Sequence, residues 1–154
     1  MFKNFTLITL LMFTISCGYE ATHSIKNRAD RSNISIAEIN FTGDREINIK
    51  IKEKLSSYSN IKKEKHYSLE ISSETLKTTT AKDLKGDPSV FNLSIETIVQ
   101  FTREDNKNGE FTFNENFKYN NNTDKFELKR YEKEIKRNLA QTISNNLINK
   151  LSVY

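Results

Sequence analysis

Cysteine occurs once in 154 residues, proline once and tryptophan never, and there are only four glycines and two histidines. Each shortage removes a class of chemistry. One cysteine cannot close an internal disulfide or build a thiolate metal centre. Neither histidine, His23 or His66, has a Cys, Asp or Glu at metal-ligand spacing, so no metal or other cofactor is implied. With so few glycines there is no phosphate-cradling loop, and neither GxSxG nor HExxH occurs. The carboxylates are scattered among lysines, and no pair is marked out for acid–base work. No catalytic residue is nominated, and the chain reads as a non-enzyme. Its formal net charge of +4 is too mild to indicate nucleic acid, and no nucleic-acid partner is expected.

What is present begins with MFKNFTLITLLMFTIS, residues 1–16: Lys3, an almost unbroken apolar run from Phe5 to Ile15, then Ser16. That is the order of a secretory signal. The run is too short to cross a bilayer, which takes about 20 residues. Cys17 follows at once. A lone cysteine can be a small buried hydrophobe, a reactive thiol, half of an intermolecular disulfide or a site of modification. Its place after an apolar segment favours modification; an ordinary signal peptide with an incidental cysteine is the alternative. The junction Thr14-Ile15-Ser16-Cys17 is similar to the lipobox of bacterial lipoproteins, in which the thiol receives a diacylglycerol and the chain is cut before it. Cys17 is then the lipid attachment site. Anchoring of this kind is stable only with two or more acyl chains, at about 0.8 kcal/mol per buried methylene. The same resemblance reads Gly18, where an Asp would retain the protein in the inner membrane, as pointing to the outer membrane. Removal of residues 1–16 leaves 138 residues and a net charge of +3, enough for one domain. Residues 18–33 are polar and aperiodic, so residues 17–33 read as a lipidated flexible tether and 34–154 as a single domain.

Within that domain, ISIAEINF (34–41) reads as a strand whose parity shifts between Ile36 and Ile39, which implies a bulge. Behind possible caps at Thr42 or Asp44, Ile47, Ile51, Leu55 and Tyr58 recur at helical spacing, although Ile47, Ile49 and Ile51 also alternate. Three segments then alternate cleanly: Tyr67, Leu69 and Ile71; Phe91, Leu93, Ile95, Val99 and Phe101; and Phe111, Phe113, Phe117 and Tyr119. Alternation of this kind marks antiparallel strands with one buried and one wet face. Turns are expected at Gly86/Pro88 and at Asn108-Gly109. A final helix over 124–151 carries the stripe Leu128, Tyr131, Ile135, Leu139, Ile143, Leu147 and Leu151, with Arg130/Glu134 and Glu132/Lys136 as exposed pairs. The order β-α-β-β-β-α predicts an α+β fold, a two-layer sandwich with a four-stranded, mostly antiparallel sheet and two helices on one face.

The sequence Cys17-Gly18-Tyr19, the hairpin LEISSETLKTTTAKDLKGDPSVFNLSIETIVQF and the ending FKYNNNTDKFELKRYEKEIKRNLAQTISNNLINKL together resemble the LPS-assembly lipoprotein LptE family. The resemblance implies a non-catalytic lipoprotein of the outer membrane, held by its N-terminal lipid on the periplasmic side. It implies a heterodimer with an LptD-like β-barrel, which the lipoprotein plugs and helps to assemble, and contact with lipopolysaccharide. It places basic lipopolysaccharide-contacting groups at a hairpin tip and at the start of the last helix, here Lys82, Lys85, Lys129 and Arg130. The other reading is a lipid-tethered binding or structural module of the cell envelope, unrelated to lipopolysaccharide.

Overall fold

The computed structural model describes residues 32–59 and 62–154. The signal-like segment, Cys17, His23 and the tether up to residue 31 lie outside the described residues. The elements are β1 (Ile34–Gly43), α1 (Arg45–Leu55), a 3-10 turn (Ser56–Tyr58), β2 (Lys65–Lys82), β3 (Pro88–Arg103), β4 (Asn108–Asn120) and α2 (Lys125–Val153). The sheet order is β1-β2-β3-β4. β1 runs parallel to β2, with α1 as the crossover, and the other pairs are antiparallel. The expected α+β order and the two-helix, four-strand composition are therefore found.

β1 carries the expected bulge. Its register against β2 shifts between Ile36 and Glu38, so Ala37 has no partner. The extra residue resets the parity, and Ile34, Ile36, Ile39 and Phe41 all pair with residues of the helix-facing side. β1 then stops at Gly43, whose φ is +85°. Asp44 starts α1: its Oδ1 accepts the N–H of Glu46 at 2.8 Å and of Ile47 at 3.3 Å. That cap selects the helix over the strand that Ile47, Ile49 and Ile51 would also allow. Ile47, Ile51 and Leu55 are fully buried, while Ile49 is 43 % exposed.

α2 is capped in the same way, by Asp124 on the N–H groups of Phe126 and Glu127. Leu128, Ile135, Leu139, Ile143, Leu147 and Leu151 are buried against the sheet and α1. Its last turn is tied down by β2 and β3. Tyr67 Oη donates to the Leu151 carbonyl at 3.0 Å, Lys65 Nζ to that of Ser152 at 2.8 Å, and Arg103 to a main-chain oxygen of Tyr154 at 3.1 Å.

The structure corrects three details of the sequence reading. Tyr131 and Phe117 leave the buried stripe and are 45 % and 43 % exposed. β4 is an edge strand and α2 roofs it only in part, which leaves a groove of about 630 Å³ lined by both rings and Tyr119. Asn108-Gly109 is not the second hairpin turn but the start of β4; the turn is Glu104–Lys107, with Asn106 at φ +65°. Asn tolerates that conformation. Gly109 is needed elsewhere, because a Cβ there would lie 2.8 Å from the Phe101 ring. The helix pairs also differ. Arg130 meets Glu127 at 2.5 Å and Glu134 meets Arg137 at 3.2 Å, both at i,i+3 spacing, while Glu132 and Lys136 reach across to other elements.

Candidate functional site

The β2–β3 hairpin runs past the helices, so β2 is exposed from Leu76 to Lys82. Its tip is organised by Asp83, whose Oδ1 accepts the N–H groups of Lys85 and Asp87 at 2.9 Å each. Gly86 completes the turn at φ +89°. Asn121 sits against the hairpin base, its main-chain N–H on the Ser89 carbonyl at 2.8 Å and its side chain on that of Pro88 at 2.7 Å. The chain then enters α2. The two places expected to contact lipopolysaccharide therefore lie at the same end of the sheet. Lys82 and Lys85 are exposed at the tip, and Lys129 and Arg130 are exposed in the first turns of α2.

A buried-edge network holds α2 to this end. Lys77 lies on the helix-facing side of β2, and its Nζ meets Glu132 Oε1 at 2.6 Å. The same oxygen accepts the Tyr119 hydroxyl at 2.7 Å, and the ammonium lies 4.0 Å from the centre of the Phe91 ring. Burial and the hydrogen bond to Glu132 together push the Tyr119 hydroxyl well above its ordinary pKa. For Glu132, burial works against ionisation, but the Lys77 and Tyr119 hydrogen bonds outweigh it and the pKa falls. Sequence reasoning missed this set because its members are separated by 42 and 13 residues along the chain. It also missed the apolar groups beside the cations: Leu84 is fully exposed at the tip, and Phe126 is 76 % exposed at the start of α2. This end carries exposed apolar groups beside its cations, with Asp83 and Asp87 balancing Lys82 and Lys85 at the tip and Lys125, Lys129 and Arg130 exceeding Asp124 and Glu127 by one charge at the start of α2.

A second basic region lies between the helices, and there the cations outnumber the acids. Arg45, Lys50, Arg130, Lys133, Lys136 and Arg137 line a groove of about 940 Å³ together with only two carboxylates, Glu46 and Glu134. Lys136 ties the two helices together, 3.1 Å from Glu46 and 3.5 Å from Asp44. Asp44 also accepts the Thr75 hydroxyl at 2.7 Å. Burial raises the Asp44 pKa, but the Thr75, Ile47 and Glu46 hydrogen bonds and the Lys136 charge prevail, and it lies below its ordinary value. Its stabilising contribution is thus present above the unfolded carboxylate pKa, about 4, and is lost as the pH falls through the depressed value. The open face of the sheet has the opposite sign. Glu38, Glu70, Glu74, Glu96 and Glu110 are all exposed, and Glu74 faces Glu96 directly across the β2–β3 ladder.

His66 has a structural role, its Nδ1 2.7 Å from Ser35 Oγ beside the β1–β2 pair. Among the described residues, no group of three His, Cys, Asp or Glu is placed to hold a metal ion, and no helix is long and apolar enough to cross a membrane.

The architecture defines a class: a two-layer sandwich of one crossover helix, a long protruding hairpin and a long C-terminal helix. Solved structures share it. Rare lipoprotein B from Shewanella oneidensis is 12 % identical, with a TM-score of 0.52 over 73 % of this chain and 97 % of that one. A minor lipoprotein from Acinetobacter baumannii is 11 % identical, with a TM-score of 0.55 over 76 % and 91 %. Lipoprotein B from Nitrosomonas europaea is 9 % identical, with a TM-score of 0.53 over 88 % and 91 %. No family model matches the sequence, and no curated protein matches it by sequence. At these identities the likeness defines the fold.

Proposed function

We propose that this chain is a non-catalytic lipoprotein of the outer membrane. On this reading, Cys17 carries the lipid, and the domain plugs and helps to assemble an LptD-like β-barrel lipopolysaccharide translocon. It contacts lipopolysaccharide on its way to the outer leaflet. The observation that carries the reading is the convergence of Lys82, Lys85, Lys129 and Arg130 at one end, beside exposed Leu84 and Phe126. Lipid A offers phosphates for the cations and acyl chains for the apolar pair. Support also comes from the fold, which proteins named as lipoproteins share over nine-tenths or more of their length. The polar open face of the sheet, rich in Ser, Thr, Asn and Glu, suits the hydrated lumen of a barrel.

The tip lies about 55 Å from the Lys65 end of β2, taking about 3.3 Å per residue along the strand. The tether enters β1 at that opposite end. The tip is therefore directed away from the tether's point of entry, towards a ligand arriving from the far side. Replacing Lys85 and Arg130 together by Glu is expected to weaken binding to lipopolysaccharide aggregates by at least about tenfold, at roughly 1 kcal/mol per cation near an anionic surface. The melting temperature should not move, because among the described residues Lys85 makes no side-chain contact that holds the fold and Arg130 makes only an exposed ion pair. Undiminished binding at physiological salt, where loose attraction is screened beyond about 8 Å, would remove this end from the account.

A further inference from the structure

We infer that the groove between α1 and α2 is a docking site for the phosphate-bearing headgroup of an anionic phospholipid, sharing Arg130 with the hairpin end but not Lys82, Lys85 or Lys129. Six cations against two carboxylates leave the lining with an excess of positive charge, although Glu53, Glu127 and Asp44 beside it pair with three of the cations. Lys50, Arg130, Lys136 and Arg137 are held by Glu53, Glu127, Glu46 and Glu134, whereas Arg45 and Lys133 are exposed and make no ion pair or hydrogen bond among the described residues. They flank the depression from opposite helices, one on α1 and one on α2. Unpaired cations facing a shared space are the arrangement that a phosphate completes.

The groove has an apolar component as well. Ile49, 43 % exposed, is the one helix-α1 isoleucine turned out of the core, and it opens into this depression. An apolar group beside unpaired cations fits the junction between headgroup and acyl chain. No aromatic ring lines the groove to stack a base. The charge distribution of the fold agrees with a flat approach. The helix layer is basic and the open sheet face carries five exposed glutamates, so an anionic leaflet attracts the first and repels the second. This inference rests on the membrane-tether part of the proposed function. Residues 17–33 reach at most about 60 Å even when extended, so a lipid on Cys17 keeps the helix layer within range of the bilayer surface.

The test uses the intact mature chain in neutral detergent, titrated with soluble dihexanoyl phosphatidylglycerol and followed by amide NMR. Dihexanoyl phosphatidylcholine and inorganic phosphate serve as controls. Phosphatidylglycerol is expected to shift amides of residues 45–50 and 130–137 saturably, with phosphatidylcholine giving no comparable shift and phosphate binding far more weakly. Arg45→Glu with Lys133→Glu should weaken phosphatidylglycerol binding by at least about tenfold, with amide positions elsewhere in the spectrum confirming the fold. Ile49→Ser should weaken phosphatidylglycerol but not phosphate. Equal saturation by phosphate would make this a general anion site and overturn the inference. So would an equal response to phosphatidylcholine, shifts confined to residues 82–86, or indifference to the double charge reversal. Broadening that grows with protein concentration and not with lipid would assign the groove to the acidic sheet face of a second copy. Arg130 belongs to both places, so the two readings are separated by Lys85→Glu alone, which lies outside the groove and should weaken lipopolysaccharide binding but not phosphatidylglycerol binding.

Discussion

Gly43→Ala is expected to lower stability by about 2–5 kcal/mol and the melting temperature by roughly 8–20 °C. Two effects add. The residue sits at φ +85°, a left-handed conformation that costs an L side chain about 1–2 kcal/mol. The Cβ would also stand 2.0 Å from the Ser73 carbonyl oxygen, which is backbone and cannot swing aside. Overpacking of this kind typically costs a further 1–3 kcal/mol. The contact exists because that same carbonyl accepts the Asp44 N–H at 2.7 Å, so the turn that launches α1 is docked on β2. Against a total stability of about 5–15 kcal/mol, the loss is severe. Gly86→Ala is the control: its φ is +89°, but a Cβ there meets nothing within 4 Å. It should cost only the conformational strain. Chemical denaturation of both variants checks the difference, and equal effects would contradict a backbone clash at Gly43.

Leu147→Ala should cost about 2–5 kcal/mol, near the upper end. Leu147 is fully buried in the core shared by α2, α1 and the sheet, and the end of its helix is held by Tyr67, Lys65 and Arg103. A helix whose last turn is tied to two strands is hindered from collapsing into the space left behind, and the cavity term persists. Leu139, 8 % exposed at the margin of the same stripe, should lose less when truncated. Urea midpoints of the two variants give the comparison. Similar, small shifts would mean that α2 packs loosely.

These two sites also mark what the sequence could and could not reveal. The α2 stripe and the strand alternation are local periodicities, and they are legible because burial follows them residue by residue. The bulge at Ala37 was legible for the same reason, as a break in parity. Asn108-Gly109 misled because the pair is a good turn former, while Gly109 is in fact required by the Phe101 ring packed over it, a contact no local pattern encodes. Tyr131 and Phe117 misled because periodicity cannot say that β4 is an edge strand. Of the candidate residues, Lys82, Lys85, Lys129 and Arg130 are legible singly, yet their placement at the same end of the sheet depends on Asn121 docking on Pro88 and Ser89. The Lys77–Glu132–Tyr119 network, the Lys136 bridge and the inter-helix groove join residues far apart in the chain. Only the fold brings them together.

The central claim, a lipid-anchored plug of an envelope β-barrel, is tested most directly by purifying the C-terminally tagged chain from outer membranes in mild detergent. Electrophoresis of the eluate before and after heating then reports on any barrel. The account predicts a stoichiometric, heat-modifiable partner, together with a chain that begins at Cys17 and carries acyl mass. A chain recovered alone, with an unmodified thiol or an N-terminus elsewhere, would contradict it.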